Sequence, residues 1–420
     1  MLKMKKKLMI GIAALLSLTM LAGCQGNSPE KKESTEKDKE ISILTSRTDI
    51  AETTYRDFAD RFEAANPGIK LTIEAVKDYA NIAKTRLAAG ELTDIFSVVS
   101  GVKAVDRPNY YAPLDDLGLK GDLLFEEANT ENGILYSVPS YCTASGLIYN
   151  KPAFEKAGIT KIPTTLDELY DACEKLKAAG ITPTTALYKD AWPTANWTYK
   201  LAPLMLDNPD YGAEALKTDT PFVKGTGMYE AVSIYRSLFE KGYFEEDLMS
   251  TAWEGFKPDL AKGKFGFILC ETWLIPQIIE NGAKSSDIGF FPLPTDNSGV
   301  LKTLLIPDTT LAINKDSKNV DAAKAYLKYL MNDGYAEWLE ICGGLSARNS
   351  FANETMEQLQ ELKSYNPVQV ETIAEVDEIK TILSKAQFKW EDLAIQSLAS
   401  PDMESAMKIY NDKWAAARSK

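Results

Sequence analysis

Residues 41–99, ISILTSRTDIAETTYRDFADRFEAANPGIKLTIEAVKDYANIAKTRLAAGELTDIFSVV, decide the fold. Ile41-Ser42-Ile43-Leu44 reads as a strand. Tyr55, Phe58, Phe62 and Ala65 then recur at helical spacing, and Asn66-Pro67-Gly68 stops that helix. Leu71-Thr72-Ile73-Glu74-Ala75-Val76 is a second strand, Ile82 to Ala89 a second helix closed by Gly90, and Ile95-Phe96-Ser97-Val98-Val99 a third strand. Strand–helix–strand units of this length predict an α/β fold with a mainly parallel sheet covered on both faces. Ligands of such sheets sit beyond the carboxyl ends of the strands. That rule directs attention to Thr45, Ser46, Arg47, Ser100 and Gly101.

The alternation continues outward. Thr165-Leu166-Asp167-Glu168 has the spacing of a capping box, and the helix it starts ends at Gly180. Met228 to Lys241 is amphipathic and stops at Gly242. Phe265 to Leu269, Ile288 to Phe291 and Leu311 to Ile313 read as strands, Val320 to Leu330 as a helix, and the chain from about Asn353 onward as helical. About 380 residues follow the first strand, more than one hydrophobic core usually holds, so two lobes are expected.

Toward the other end the sequence is an address. Lys3, Lys5, Lys6 and Lys7 precede an uncharged run from Leu8 to Met20, too short to span a bilayer but suited to an export signal. Leu21-Ala22-Gly23-Cys24 resembles the lipobox of bacterial lipoproteins. The expectation is a signal peptide over 1–23, a diacylglyceryl group on Cys24, and a polar tether over 24–40, with the body on the extracellular face of the membrane. Removing residues 1–23, with four lysines and no acid, takes the formal net charge from −13 to about −17. So acidic a chain is a poor match for nucleic acid, whose phosphates call for basic patches.

The chain has no histidine, and Cys142, Cys173, Cys270 and Cys342 form no Cys-x-x-Cys pair. The common zinc and copper ligand sets and histidine-based nucleophile pairs are therefore missing, and neither cofactor nor metal is expected. Cys173 shares an apolar helix face with Leu166, Leu169 and Leu176, which predicts core packing.

Several stretches resemble, in the right order, the extracellular solute-binding proteins of family 1, which include maltose-binding protein. They are Phe62 to Ile69, Gly146 to Lys151 with Phe154 to Ile159 and Pro163 to Leu169, Gly263 through Trp273, and Leu311 to Lys315 with Ala322-Ala323-Lys324. The resemblance implies a two-lobed clamp with its ligand between the lobes. The chain would cross near Cys142-Thr143-Ala144, near Ile306-Pro307-Asp308 and after Gly343-Gly344. One lobe would then comprise 41–142 plus about 308–345, the other 143–307 plus about 346–420. It further implies a monomeric, non-enzymatic receptor that captures a carbohydrate and delivers it to the membrane permease of an ABC importer.

The chemistry of such a cleft selects residues. Sugar rings offer C–H faces to aromatic rings and hydroxyl rims to charged and amide groups. Trp273 occupies the position where the family carries its stacking residue, and Trp192 and Trp197 lie in a polar, proline-marked loop. Tyr141 and Thr143 flank the first crossover, Glu271 and Asp308 end strands, and Gly343 and Gly344 could bring backbone amides close to ligand. Arg47, Asn196 and Arg348 complete the set. Trp338 and Trp414 fit helical stripes and read as structural. Two other readings suit the same sequence. One is an exported glycoside hydrolase with paired acids. The other is a receptor for a polyamine or quaternary amine held in an aromatic cage.

Overall fold

The computed structural model describes residues 39–207, 211–351, 356–371 and 377–419. The signal, Cys24 and all but the end of the tether lie outside them. Among the described residues no helix is long and apolar enough to cross a membrane.

The first five elements are β1 (Lys39–Thr45), α1 (Thr54–Ala65), β2 (Ile69–Ala75), α2 (Tyr79–Ala89) and β3 (Ile95–Ser97). β1 pairs in parallel with β2 and β3. α1 buries Tyr55, Phe58 and Phe62 as its spacing predicted, with Ala59 added and Ala65, at the last turn, exposed. α2 ends at Gly90, whose φ of 72° is left-handed, as a glycine cap requires.

After a short hairpin over 130–135 comes β4 (Val138–Asn150), buried at every position. α3 (Leu166–Ala178) starts at Thr165, whose hydroxyl accepts the Glu168 amide. The Glu168 carboxylate accepts the Thr164 amide at 2.7 Å, so the return bond of the capping box lands one residue early. α4 (Gly227–Glu240), α5 (Trp253–Ala261), β5 (Phe267–Glu271), α6 (Leu274–Glu280) and β6 (Ile288–Phe291) follow. Then come β7 (Lys302–Ile313), α7 (Val320–Met331) and α8 (Tyr335–Cys342). The C-terminal part holds α9 (Glu357–Ser364), β8 (Val368–Glu371), α10 (Asp377–Ala386), α11 (Trp390–Ala399) and α12 (Met403–Arg418).

The main sheet runs β2-β1-β3-β7-β4-β5, with β8 on β7 and β6 on β4. It is mixed rather than mainly parallel. β7 is antiparallel to β3 and β4, and β4 is antiparallel to β5 and β6. β4 and β7 pair from Val138–Leu311 to Ala144–Leu305, and then each takes different partners. Leu345 bridges to Cys142, so three stretches of chain meet at one point. Within β7, Thr309 has φ of +42°, unusual for a β-branched residue, and its carbonyl accepts the Ser140 hydroxyl at 2.8 Å.

The buried apolar clusters fall into two groups. One draws on Leu44, Phe58, Phe62, Phe96, Tyr141, Ile313, Tyr326 and Trp338. The other draws on Leu147, Trp197, Leu238, Phe267, Ile275, Phe291, Trp390 and Trp414. Only a small cluster of Cys142, Leu305 and Ala347 sits where the three stretches meet. The four cysteines of the body are buried, Cys173 within the second group.

Candidate functional site

β5 ends at Glu271, and Thr272 and Trp273 lead into α6. The Thr272 amide donates to the Ala144 carbonyl at 3.0 Å, which ties this corner to β4. A second corner is the loop before Trp192, where Leu187 and Ala191 adopt left-handed φ of 48° and 60°. Asp190 in that loop accepts the Trp253 amide at 2.6 Å, fixing the start of α5 beside it.

Three indoles gather there. Trp192 and Trp253 meet edge-on with centroids 4.7 Å apart, Trp253 and Trp273 are 5.8 Å apart, and Trp192 and Trp273 are 6.3 Å apart at 30°. Trp253 is 9% exposed, Trp273 partly buried and Trp192 41% exposed. The centroid spacings leave no room for a sugar ring between the indoles. The group is a wall with Trp192 outermost. Trp253 was not among the residues selected from the sequence; it opens α5, which anchors it. Asp190 carried no signal at all.

Glu271 is 1% exposed. Its Oε1 lies 2.8 Å from the Lys200 ammonium, and its Oε2 accepts the Trp273 indole N–H at 3.1 Å. Burial works against the charge of Lys200, but the carboxylate outweighs it and holds the ammonium above its ordinary value. Glu271 therefore holds protein groups and is not a free acid for a ligand rim.

The other wall begins with Arg47, directly after β1. Its Nε and Nη2 fork onto Asp49 at 3.0 and 2.9 Å, while Nη1 is buried with no hydrogen-bond partner. Tyr141 and Asp308 are cross-strand neighbours on β4 and β7, and the Thr309 hydroxyl lies 3.2 Å from one and 3.0 Å from the other. Burial, then the nearby Asp308 charge, raises the Tyr141 phenol. Burial pushes the Cys342 thiol up to about 12, with the Arg47 charge opposing it. The carboxyl of Glu280, at the end of α6, is raised by partial burial and then by the Asp49 charge, with Arg47 opposing it.

Where α8 ends, the two sides touch. A Cβ on Gly343 would lie 2.8 Å from the Thr272 carbonyl oxygen and 2.7 Å from Pro276, and one on Gly344 would lie 2.6 Å from the Tyr141 ring. These glycines serve a close approach of protein to protein. Their amides donate to the Glu340 and Leu339 carbonyls and are not offered to a ligand.

Other expected residues lie elsewhere. Trp197 is 3% exposed and packs on Tyr235, inside the second group of cores. Asn196 is buried and donates to the Leu269 carbonyl at 3.0 Å, its Oδ1 unpartnered. Thr143 is buried within β4, its hydroxyl without a partner. Arg348 pairs with Asp122 at 2.8 Å, and its remaining donors reach Met331, Asn332 and Ser350. Four of its five N–H groups are thus taken by the protein.

Fold and cleft define a two-lobed α/β ligand clamp. Residues 45–337 match the bacterial extracellular solute-binding proteins, and the chain belongs to that family. It is 24% identical to the multiple sugar-binding protein of Streptococcus mutans, over 78% of each chain. It is 25% identical to the diacetylchitobiose binding protein DasA of Streptomyces coelicolor, over 82% of this chain and 81% of that one. Among solved structures, a mannobiose-bound binding protein of an ABC transporter from Bifidobacterium animalis subsp. lactis superposes with a TM-score of 0.78. The match covers 91% of this chain and 95% of that one, at 21% identity.

Proposed function

We propose that this protein captures a carbohydrate outside the cell and delivers it to the permease of an ABC importer. The observation that carries this reading is the tryptophan wall, with Trp192 exposed at its edge and Trp253 and Trp273 behind it. Sugar C–H faces stack on such rings, and the unpartnered Nη1 of Arg47 suits a hydroxyl rim. The relatives named for multiple sugars and diacetylchitobiose support the ligand class. The lobes are 41–142 with about 308–345, and 143–307 with about 346–420. The receptor works as a monomer without catalysis, tethered through a lipid on Cys24 after loss of residues 1–23.

Thermal unfolding and calorimetric titration with mannobiose, raffinose and diacetylchitobiose, beside spermidine and glycine betaine, test the reading. A ligand bound only by the folded state raises the apparent stability, by about 2.7 kcal/mol at a hundredfold excess over Kd. An oligosaccharide should do so. A shift with an amine and none with any sugar would replace the carbohydrate, and monosaccharide release from raffinose would replace binding with hydrolysis.

A further inference from the structure

One buried ion pair stands behind the tryptophan wall and is not explained by sugar recognition itself. Glu271 ends β5 almost wholly out of water, where an isolated carboxylate is costly. Lys200 meets it at Oε1, and Oε2 accepts the Trp273 indole N–H at 3.1 Å and, at 3.8 Å, the Cys270 thiol. No hydrogen bond from another described residue reaches Oε1. The pair therefore leads outward to a ring. A tryptophan side chain has two rotatable bonds, and a half-turn about the second would carry Nε1 away from Glu271. The hydrogen bond selects one face of the indole.

Lys200 comes from a different segment. It follows the helical turn Trp192–Trp197, which begins with the exposed indole. That segment is tied to β5 at two places, by Asn196 donating to the Leu269 carbonyl at 3.0 Å and by Lys200 meeting Glu271 at 2.8 Å. The ties set the register between the segment carrying Trp192 and the corner carrying Trp273. The 6.3 Å, 30° relation of the two rings follows from that register.

We propose that Lys200 is a positioning residue for the ligand platform: by pinning the Glu271 carboxylate it fixes the Trp273 indole and aligns it with Trp192. This rests on the tryptophan wall being the ligand platform, as proposed above. A simple stabilising ion pair would be replaceable by apolar groups of similar size without disturbing the rings. A positioning pair would not, because the hydrogen bond to the indole disappears with it. A platform left loose must be ordered again at each binding event.

The test uses the full-length protein with its seven tryptophans replaced by 5-fluorotryptophan, so that each indole gives a fluorine resonance. Trp273→Phe and Trp192→Phe assign two of them. In Lys200→Met the Trp273 and Trp192 resonances should shift and broaden, while those of the core residues Trp338 and Trp414 stay in place. Should Lys200→Met fail to fold because Glu271 is left unpaired, Lys200→Met/Glu271→Gln removes both charges while keeping an oxygen for the indole N–H, and should show the same two changes. Unchanged Trp273 and Trp192 resonances in a folded variant, with only the melting temperature altered, would overturn the proposal. Binding of mannobiose, raffinose and diacetylchitobiose is measured on the same samples. Whichever the parent protein takes should bind roughly two- to twelvefold more weakly. If the parent takes none, the carbohydrate reading fails, while the fluorine spectra still decide the role of Lys200.

Discussion

Trp192 and Trp197 lie on one helical turn and do opposite things. Trp192 is 41% exposed at the edge of the indole wall, and Trp197 is 3% exposed against Tyr235. Trp192→Ala removes area that a ligand would cover, worth roughly 1–2 kcal/mol at the usual coefficient and so about 5- to 30-fold in affinity. The unliganded melting point should hardly change. Trp197→Ala leaves a core cavity and costs about 3–5 kcal/mol of folding stability. Calorimetric titration and ligand-free unfolding of both variants separate the roles, and a Trp192→Ala protein that binds as the parent does would remove that ring from the platform. Sequence placed both rings in one polar loop and could not tell them apart, because a 3-10 turn alternates faces over so few residues. Charged and polar candidates were harder still. Glu271 and Arg348 look like free rim groups until their partners Lys200 and Asp122, distant in sequence, come beside them.

Hydropathy alternation announced β1, α1, β2, α2 and β3, because each has a simple period, and the helical connections between the strands implied their parallel pairing. It did not announce the mixed sheet. Strand direction leaves no mark on hydropathy, and β4, buried at every position, has no alternation to read. Yet β4 and β7 are the strands that run between the two groups of cores. They pair between Val138–Leu311 and Ala144–Leu305, and Thr309 interrupts the regular backbone of β7 there with its left-handed φ. Residues in sparsely populated backbone regions store strain that a hinge can release. A ligand touching both sides favours the closed state, since only there are both sets of contacts made. Small-angle scattering should therefore give a smaller radius of gyration with saturating oligosaccharide than without. An equal radius in the two samples would speak against closure about these strands.

At the scale of the molecule, the two-lobed plan was legible through ordered stretches such as Gly146 to Lys151 and Gly263 through Trp273. The proposed anchor rests on the sequence alone. Cys24→Ala should yield an exported protein found in the medium rather than with the membrane, because the acyl chains provide the burial that holds it. Fractionating cells that express either form decides this, and full retention of the variant would discard the lipobox.

The interleaving of strands also fixes an order of events during synthesis. Ile95 of β3 has to wait for Ile313 of β7, and Phe58 and Phe62 for Tyr326, Tyr329 and Trp338. Until those residues leave the ribosome, the first core is a set of uncovered aromatic rings on an unfinished chain. Pairings so remote in sequence form slowly and expose apolar surface meanwhile. If residues 1–23 direct export of an unfolded chain, as proposed, this delay becomes an advantage: the part made first cannot lock into shape before the part made last has followed it out.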